Sequence, residues 1–252
     1  MYSILLVQLL YGNSPFMLSD KIKQRIRQSY KSIGDQLPHF VPRKQQNVLV
    51  AEIAKTLAGE YDKSRKIITI EAGTGTGKSL AYCLGAIPLA INRGKTVCIS
   101  TATVALQEQL VNKDLPFFKQ HAGVNFDFAL VKGRQRYVCR QRLAVANTND
   151  DNLQTELLWT QKPSEFDLAL IEKLQTALKN GTWLGDRDSW PDAIPNHIWS
   201  QIQSDKHSCL KSLSEHQQCP FHKARETMDM AQVLVINHSL LLSDLALGGG
   251  KI

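Results

Sequence analysis

The chain lacks any apolar run approaching the roughly 20 residues a membrane-spanning helix needs. Its five cysteines in 252 residues are odd in number and too sparse for the disulfide framework of a secreted fold. There is no low-complexity tract and no internal repeat, and apolar runs are frequent, which excludes a disordered polymer. The opening, Met1 to Phe16, contains ILLVQLL but has no basic residue ahead of it and no small-residue cleavage site. It therefore does not read as a signal peptide. The economical expectation is that Met17 is the natural start, that residues 1–16 are an upstream extension, and that the compartment is cytoplasmic.

What is present supports a buried core: 43% of the residues are hydrophobic. Thirty Lys and Arg against 23 Asp and Glu leave a formal charge of +7. That excess suits a polyanionic partner, although ordinary proteins also show one. The distribution is more telling than the total. Seven basic and two acidic residues lie between Met17 and Asn47, and five basic and no acidic residues between Val131 and Arg142.

From Met17 an amphipathic helix places Ile22, Ile26, Tyr30 and Ile33 on one face. A second helical pattern follows Pro42 and runs through Leu57. Lys66 to Glu71 (KIITIE) is a short β-branched run that reads as a buried strand, followed by a Gly/Thr loop and a helix from about Lys78 to Ile91. Thr96 to Ser100 reads as a second strand, Val104 to about Lys113 as a helix, and Phe126 to Val131 as a further apolar run. Such alternation predicts a parallel α/β sheet. From Lys132 to about Arg225 the pattern turns helical or irregular, and period two returns only at Val233 to Asn237 (VLVIN). The α/β unit is thus read as interrupted by a mainly helical insertion carrying three of the five cysteines.

The strand KIITIE leads directly into Ala72-Gly73-Thr74-Gly75-Thr76-Gly77-Lys78-Ser79. A triphosphate needs several backbone N–H groups aimed at it in a tight turn, which calls for glycines, and the following helix adds its positive end. Lys78 is placed to reach the β and γ phosphates, and the Ser79 hydroxyl to ligate Mg²⁺. Ala72 departs from the strict G-x-x-x-x-G-K-[ST] pattern and matches the A-x-T-G-x-G-K-[ST] form that helicases carry. Upstream, FVPRKQQ puts Arg43 and Gln46 ahead of a helix. The Gln46 amide offers the donor and acceptor that an adenine edge needs, but a solvated helix start is equally compatible. Ser100 to Thr103 closes the second strand with hydroxyls, which suits either phosphate contact or helix capping.

In the insertion, Cys139 follows Lys132-Gly133-Arg134-Gln135-Arg136-Tyr137-Val138, and Cys209 and Cys219 come some 70 residues later. Nearby positive charge favours thiolate ligands, yet an iron–sulfur cluster takes four and only three lie here. Cys83 and Cys98 read as small core residues. Lys132, Arg134 and Arg136 are either a solvated loop or a track for single-stranded DNA, with Tyr137 near enough to stack on a base.

In order, RKQQ, EAGTGTGKS, STATVALQEQL, KGRQRYVC, SCLKSLSEHQQCPFHKAR and VLVINH resemble the DinG helicases, bacterial relatives of XPD in superfamily 2. The similarity runs from about Leu37 to the C-terminus and is weakest between Asn147 and Pro191. It implies an ATP-dependent 5′-to-3′ DNA helicase of the DNA repair type, acting on single-stranded or forked DNA; no membrane is expected, and the oligomeric state is left open with a monomer as the expectation. It implies a RecA-like P-loop motor domain over 17–131, an inserted iron–sulfur domain over 132–226, and a return to the motor over 227–252. By the same resemblance ATP and Mg²⁺ are held by Arg43, Gln46, Gly73, Thr74, Gly75, Thr76, Gly77, Lys78 and Ser79, with Lys78 and Ser79 catalytic. Cys139, Cys209 and Cys219 are implied as ligands of a 4Fe-4S cluster, and Lys132, Arg134, Arg136, Tyr137 and Thr101 as the DNA contacts.

Two departures stand out. Ser214 occupies the place of a further cysteine, so the cluster either takes another ligand, with His216 nearest, or is degraded. The family continues into a D-E-[AG]-H motif whose acids hold Mg²⁺ and activate water, whereas no Asp-Glu dipeptide occurs in these residues. The expectation is a helicase fragment without turnover of its own. The competing class is a nucleic-acid-binding or redox-sensing module without a motor.

Overall fold

The computed structural model describes residues 17–73, 75–146, 163–206 and 218–249. They divide into two compact units, 1–131 with 228–252 and 132–227.

The first unit is built on three parallel strands: β1 (Val97–Thr101), β2 (Phe128–Val131) and β3 (Val233–Asn237). The order is β1-β3-β2, so the last strand in sequence is central, with Ile99 opposite Val235 and Leu130 opposite it on the other side. A central parallel strand is covered on both faces, and VLVIN meets that demand. Val233 and Val235 enter the larger core, while Leu234 and Ile236 enter a smaller one with Ala129, Val131 and Leu241.

Helices α1 (Asp20–Gln36), α2 (Lys44–Ala58) and α3 (Lys78–Asn92) cover the first face. Ser19 caps α1, and Ile22, Ile26 and Ile33 point inward at helical spacing. Ser29, buried on the same stripe, donates a 2.6 Å hydrogen bond to the Ala122 carbonyl. That carbonyl follows α5 (Leu115–His121), which continues from α4 (Val104–Gln109) through a π-turn at Leu110–Asp114. The helix expected over Val104 to Lys113 is therefore the front of a longer helical run. After β3 comes the last described helix, His238–Ala246, capped by the Asn237 side chain.

One expectation fails. Lys66 to Glu71 is not a buried strand: none of it is paired, Ile67 is 81% exposed and Ile70 36%. A β-branched run extends readily, but a strand exists only where a neighbour completes its ladder. Among the described residues the sheet offers only the outer edges of β1 and β2, and this run pairs with neither.

The second unit is mainly helical, with α6 (Arg140–Val145), α7 (Glu165–Asn180), α8 (Asn196–Ile202) and α9 (Pro220–Met230), the last running on to Met230. Its core gathers Val138, Leu143, Ile171, Leu174, Trp183, Ile198, Trp199 and Ile202. A capping box at Ser164 and Asp167 starts α7. Residues Tyr137 and Val138 thread between two segments as isolated antiparallel bridges to Asp186 and Gln203. No helix of the described residues is long and apolar enough to cross a membrane.

Candidate functional site

The glycine loop turns into α3 through Gly75 and Gly77, both at positive φ, +77° and +76°. Gly77 has a second constraint, because a Cβ there would collide with the Gln46 amide. The Lys78 ammonium lies 2.8 Å from the carbonyl oxygens of both Ala72 and Gly73, and Thr76 Oγ1 donates to Gly73 O at 2.9 Å. Ser79 follows at the start of the helix, one turn before Tyr82, whose phenol burial pushes well above its ordinary value. Thr74 lies outside the described residues.

Two side chains from the segment entering α2 fasten onto the loop. Arg43 donates to the Gly75 carbonyl. Gln46 Nε2 donates to the Gly77 carbonyl at 3.2 Å, and its Oε1 accepts from the Tyr30 hydroxyl at 2.9 Å. A carbonyl can only accept, so the Gln46 nitrogen must face Gly77 and its oxygen must face Tyr30. The amide is left with one spare N–H and one spare lone pair. Gln46, Thr76, Gly73 and Ala72 also line a cleft of about 650 Å³ between α2 and residues 68–73. Tyr30 reads in the sequence only as part of an apolar stripe; nothing in its spacing announces the contact with Gln46.

At the carboxyl end of the sheet, Thr101 is buried and its hydroxyl donates to Thr103 O at 3.2 Å. Beside it Ser100 Oγ lies 2.7 Å from His238 Nδ1, joining β1 to the start of the helix that follows β3. Nothing in the spacing of Ser100 and His238, 138 residues apart, announces the contact.

In the second unit the basic stretch is engaged internally. Lys132 pairs with both Asp186 and Asp188, Arg136 with Asp188, and Arg142 with Asp205. The Arg134 guanidinium lies 4.2 Å above the Phe221 ring. Tyr137, expected to stack on a base, is 7% exposed here, its ring packed edge-on against Phe221 at 5.9 Å. Burial, then the Asp186 charge, raises its phenol to about 12.

Cys139 and Cys219 are both buried in this unit. Their neighbours bracket them: Tyr137 meets Phe221, and Arg140 donates to Gln218 at 2.9 Å. Gly185 is wedged where a Cβ would overlap both Val138 and Pro220. The segments carrying the two thiols therefore run side by side. Cys209, like Ser214 and His216, lies outside the described residues, among which no group of three metal-ligating side chains occurs. Two thiols fit a cluster only in part, since four ligands are needed. Cys98 in β1 is raised by burial to about 11, and burial also drives Cys83 up, as befits core thiols.

Residues 23–173 match the DEAD/DEAH box helicase family model. The chain is 54% identical over 237 residues to the ATP-dependent DNA helicase DinG of Photobacterium profundum, covering 94% of this chain and 34% of that protein. It is 35% identical over 231 residues to the proteins of the same name from Salmonella choleraesuis and Escherichia coli K12, covering 90% of this chain and 32% of each. The chain spans about a third of the length of the curated relatives it matches.

Proposed function

The chain belongs to the DEAD/DEAH box helicases, and from that premise we propose that it is the nucleotide-gripping part of an ATP-dependent DNA helicase. The observation that carries this reading is the convergence on one loop: Lys78 held between the Ala72 and Gly73 carbonyls, with Arg43 and Gln46 fastened to Gly75 and Gly77. In this reading Lys78 takes the β and γ phosphates and Ser79 ligates Mg²⁺. Gly73, Thr74, Gly75, Thr76 and Gly77 wrap the phosphates in backbone N–H groups. The spare donor and acceptor of Gln46 meet the N7 acceptor and N6–H donor of adenine, and Arg43 holds the loop in register.

DNA is the substrate, single-stranded or forked, moved with 5′-to-3′ polarity. Thr101 belongs to the carboxyl edge of the sheet, where ligands of open α/β sheets bind. Lys132, Arg134 and Arg136 contact DNA in so far as its phosphates outcompete Asp186 and Asp188. Cys139, Cys209 and Cys219 would hold an iron–sulfur cluster, which when bound supplies a rigid, redox-active centre for the inserted unit.

Titration with a fluorescent ATP analogue in the presence of Mg²⁺ tests the core of this reading. Lys78→Ala removes a charge-assisted contact of about 1.5–3 kcal/mol, so binding should weaken about ten- to hundredfold. An unchanged Kd would sink it.

A further inference from the structure

The formal charge is unevenly spread. Residues 132–227 contain thirteen basic and twelve acidic residues, net +1, while the rest of the chain contains seventeen and eleven, net +6. Most of that excess lies between Met17 and Asn47, seven basic against two acidic. The cations of residues 132–142 are largely spoken for by the internal pairs described above. Those of α1 are not. Lys23 pairs with Asp20 at 3.3 Å, but Lys21, Arg25, Arg27 and Lys31 are exposed and have no carboxylate within 4 Å among the described residues.

The helix arranges them in two rows. With Ile22, Ile26, Ser29 and Ile33 turned inward, a step of 100° per residue puts Lys23, Arg27 and Lys31 along one flank. It puts Lys21 and Arg25 along the other. Gln24 and Gln28, both exposed, lie on the solvent face between the rows, with Asp20 one turn before them and Asp35 beyond them, both also exposed. Successive cations in a row are four residues apart, about 6 Å at 1.5 Å per residue. One strand of nucleic acid can follow one row only. A duplex presents two phosphate walls about 12 Å apart across its major groove, close to the 10–12 Å diameter of a helix with its side chains.

We propose that the solvent face of α1 is a docking surface for duplex DNA, its two rows of Lys and Arg each facing one phosphate backbone. Gln24 and Gln28 lie between them, with amides able to hydrogen-bond base edges. The proposal rests on the DNA-helicase reading and deepens it by assigning the duplex to a surface distinct from the 132–142 segment. Tyr30 ties the same helix to Gln46 and so to the nucleotide loop.

Binding of the chain to a labelled 20-base-pair duplex and to its labelled single strand, followed by fluorescence anisotropy from 50 to 200 mM KCl, tests it. The comparison is with Lys21→Gln, Arg25→Gln, Arg27→Gln and Lys31→Gln combined, with thermal melts as the check on folding. Each lost phosphate contact lowers the duplex salt slope by about 0.9, so four lower it by up to about 3.6. Between 50 and 200 mM the parent should then lose about a hundredfold more duplex affinity than the variant, while the single-strand slope changes by less than about one contact's worth. A folded variant with the parent's duplex slope overturns the proposal. So does an equal loss on single strands, which would make α1 a strand track instead. A parent that binds neither form overturns the DNA reading and this inference with it. If the quadruple variant melts below the parent, R25Q with R27Q carries the same test at half the slope change.

Discussion

The Lys132 ammonium stands 3.1 Å from Asp188 Oδ2 and is paired with Asp186 as well. At 13% exposure it has exchanged most of its water for two carboxylates, and Arg136 shares Asp188 with it. A lysine in that setting is a tie across 54 residues of sequence before it is a DNA contact. Any phosphate that reaches it must displace an ion already held in place.

This predicts the effect of removing the carboxylates. Asp186→Asn with Asp188→Asn should destabilise the second unit, because it leaves a largely buried cation unpaired. It should also release Lys132 and Arg136 toward solvent. Single-stranded DNA affinity should then rise, and the salt slope should steepen by about 0.7 for each cation that finds a phosphate. If binding at low salt stays at the parent's level, Lys132 and Arg136 are internal ties only.

The nucleotide loop gives a prediction about base choice. Tyr30 and Gly77 together fix which end of the Gln46 amide points outward, and that polarity matches adenine and opposes guanine, whose O6 and N7 both accept. Tyr30→Phe removes one neutral hydrogen bond, worth about 0.5–1.5 kcal/mol. The preference for ATP over GTP should fall by about three- to tenfold with little change in melting temperature. Gln46→Ala should abolish the preference. A Tyr30→Phe protein that melts earlier yet keeps its full ATP preference would show Tyr30 to be structural.

Much of the first unit is legible in the sequence because its signals are local. The strand expected at Thr96 to Ser100 forms over Val97–Thr101, and the helix expected from Lys78 to Ile91 ends at Asn92. Amphipathic spacing placed Ile22, Ile26 and Ile33 correctly. Lys66 to Glu71 misled because β-propensity reports on the run and says nothing of whether a neighbour is present. The same limit hides Tyr30 behind an apolar stripe and the carboxylate partners of Lys132 more than 50 residues away. Pairings of that kind are decided by tertiary packing, where single-sequence periodicity carries no information.

Tyr137 is the next case, since its burial makes opposite predictions from a stacking role. Its phenol is raised to about 12, so the folded state keeps the proton over a range where the unfolded chain loses it. The stability this contributes is fully present below the ordinary tyrosine value of about 10 and is lost as pH rises from there through about 12. Tyr137→Phe should flatten the decline of the melting temperature in that range. It should leave single-strand affinity within about threefold of the parent, whereas a stacked base would cost about 1–3 kcal/mol.

The last prediction concerns the thiols. Cys139 and Cys219 are drawn into adjacent, buried positions by contacts on both sides of them, Tyr137 with Phe221 and Arg140 with Gln218. The proposed cluster would call for ligands preplaced in this way. Cys83 and Cys98 belong to the packing of the first unit, where burial raises both thiols. Protein prepared anaerobically should therefore carry iron and acid-labile sulfide with broad visible absorption. Cys139→Ser and Cys219→Ser should each remove them, and Cys98→Ser should not. Ser214→Cys should raise the iron content if the site is one ligand short of four. Colourless, iron-free protein that stays so after Ser214→Cys would leave the two thiols as packing alone and remove the cluster from the proposed function.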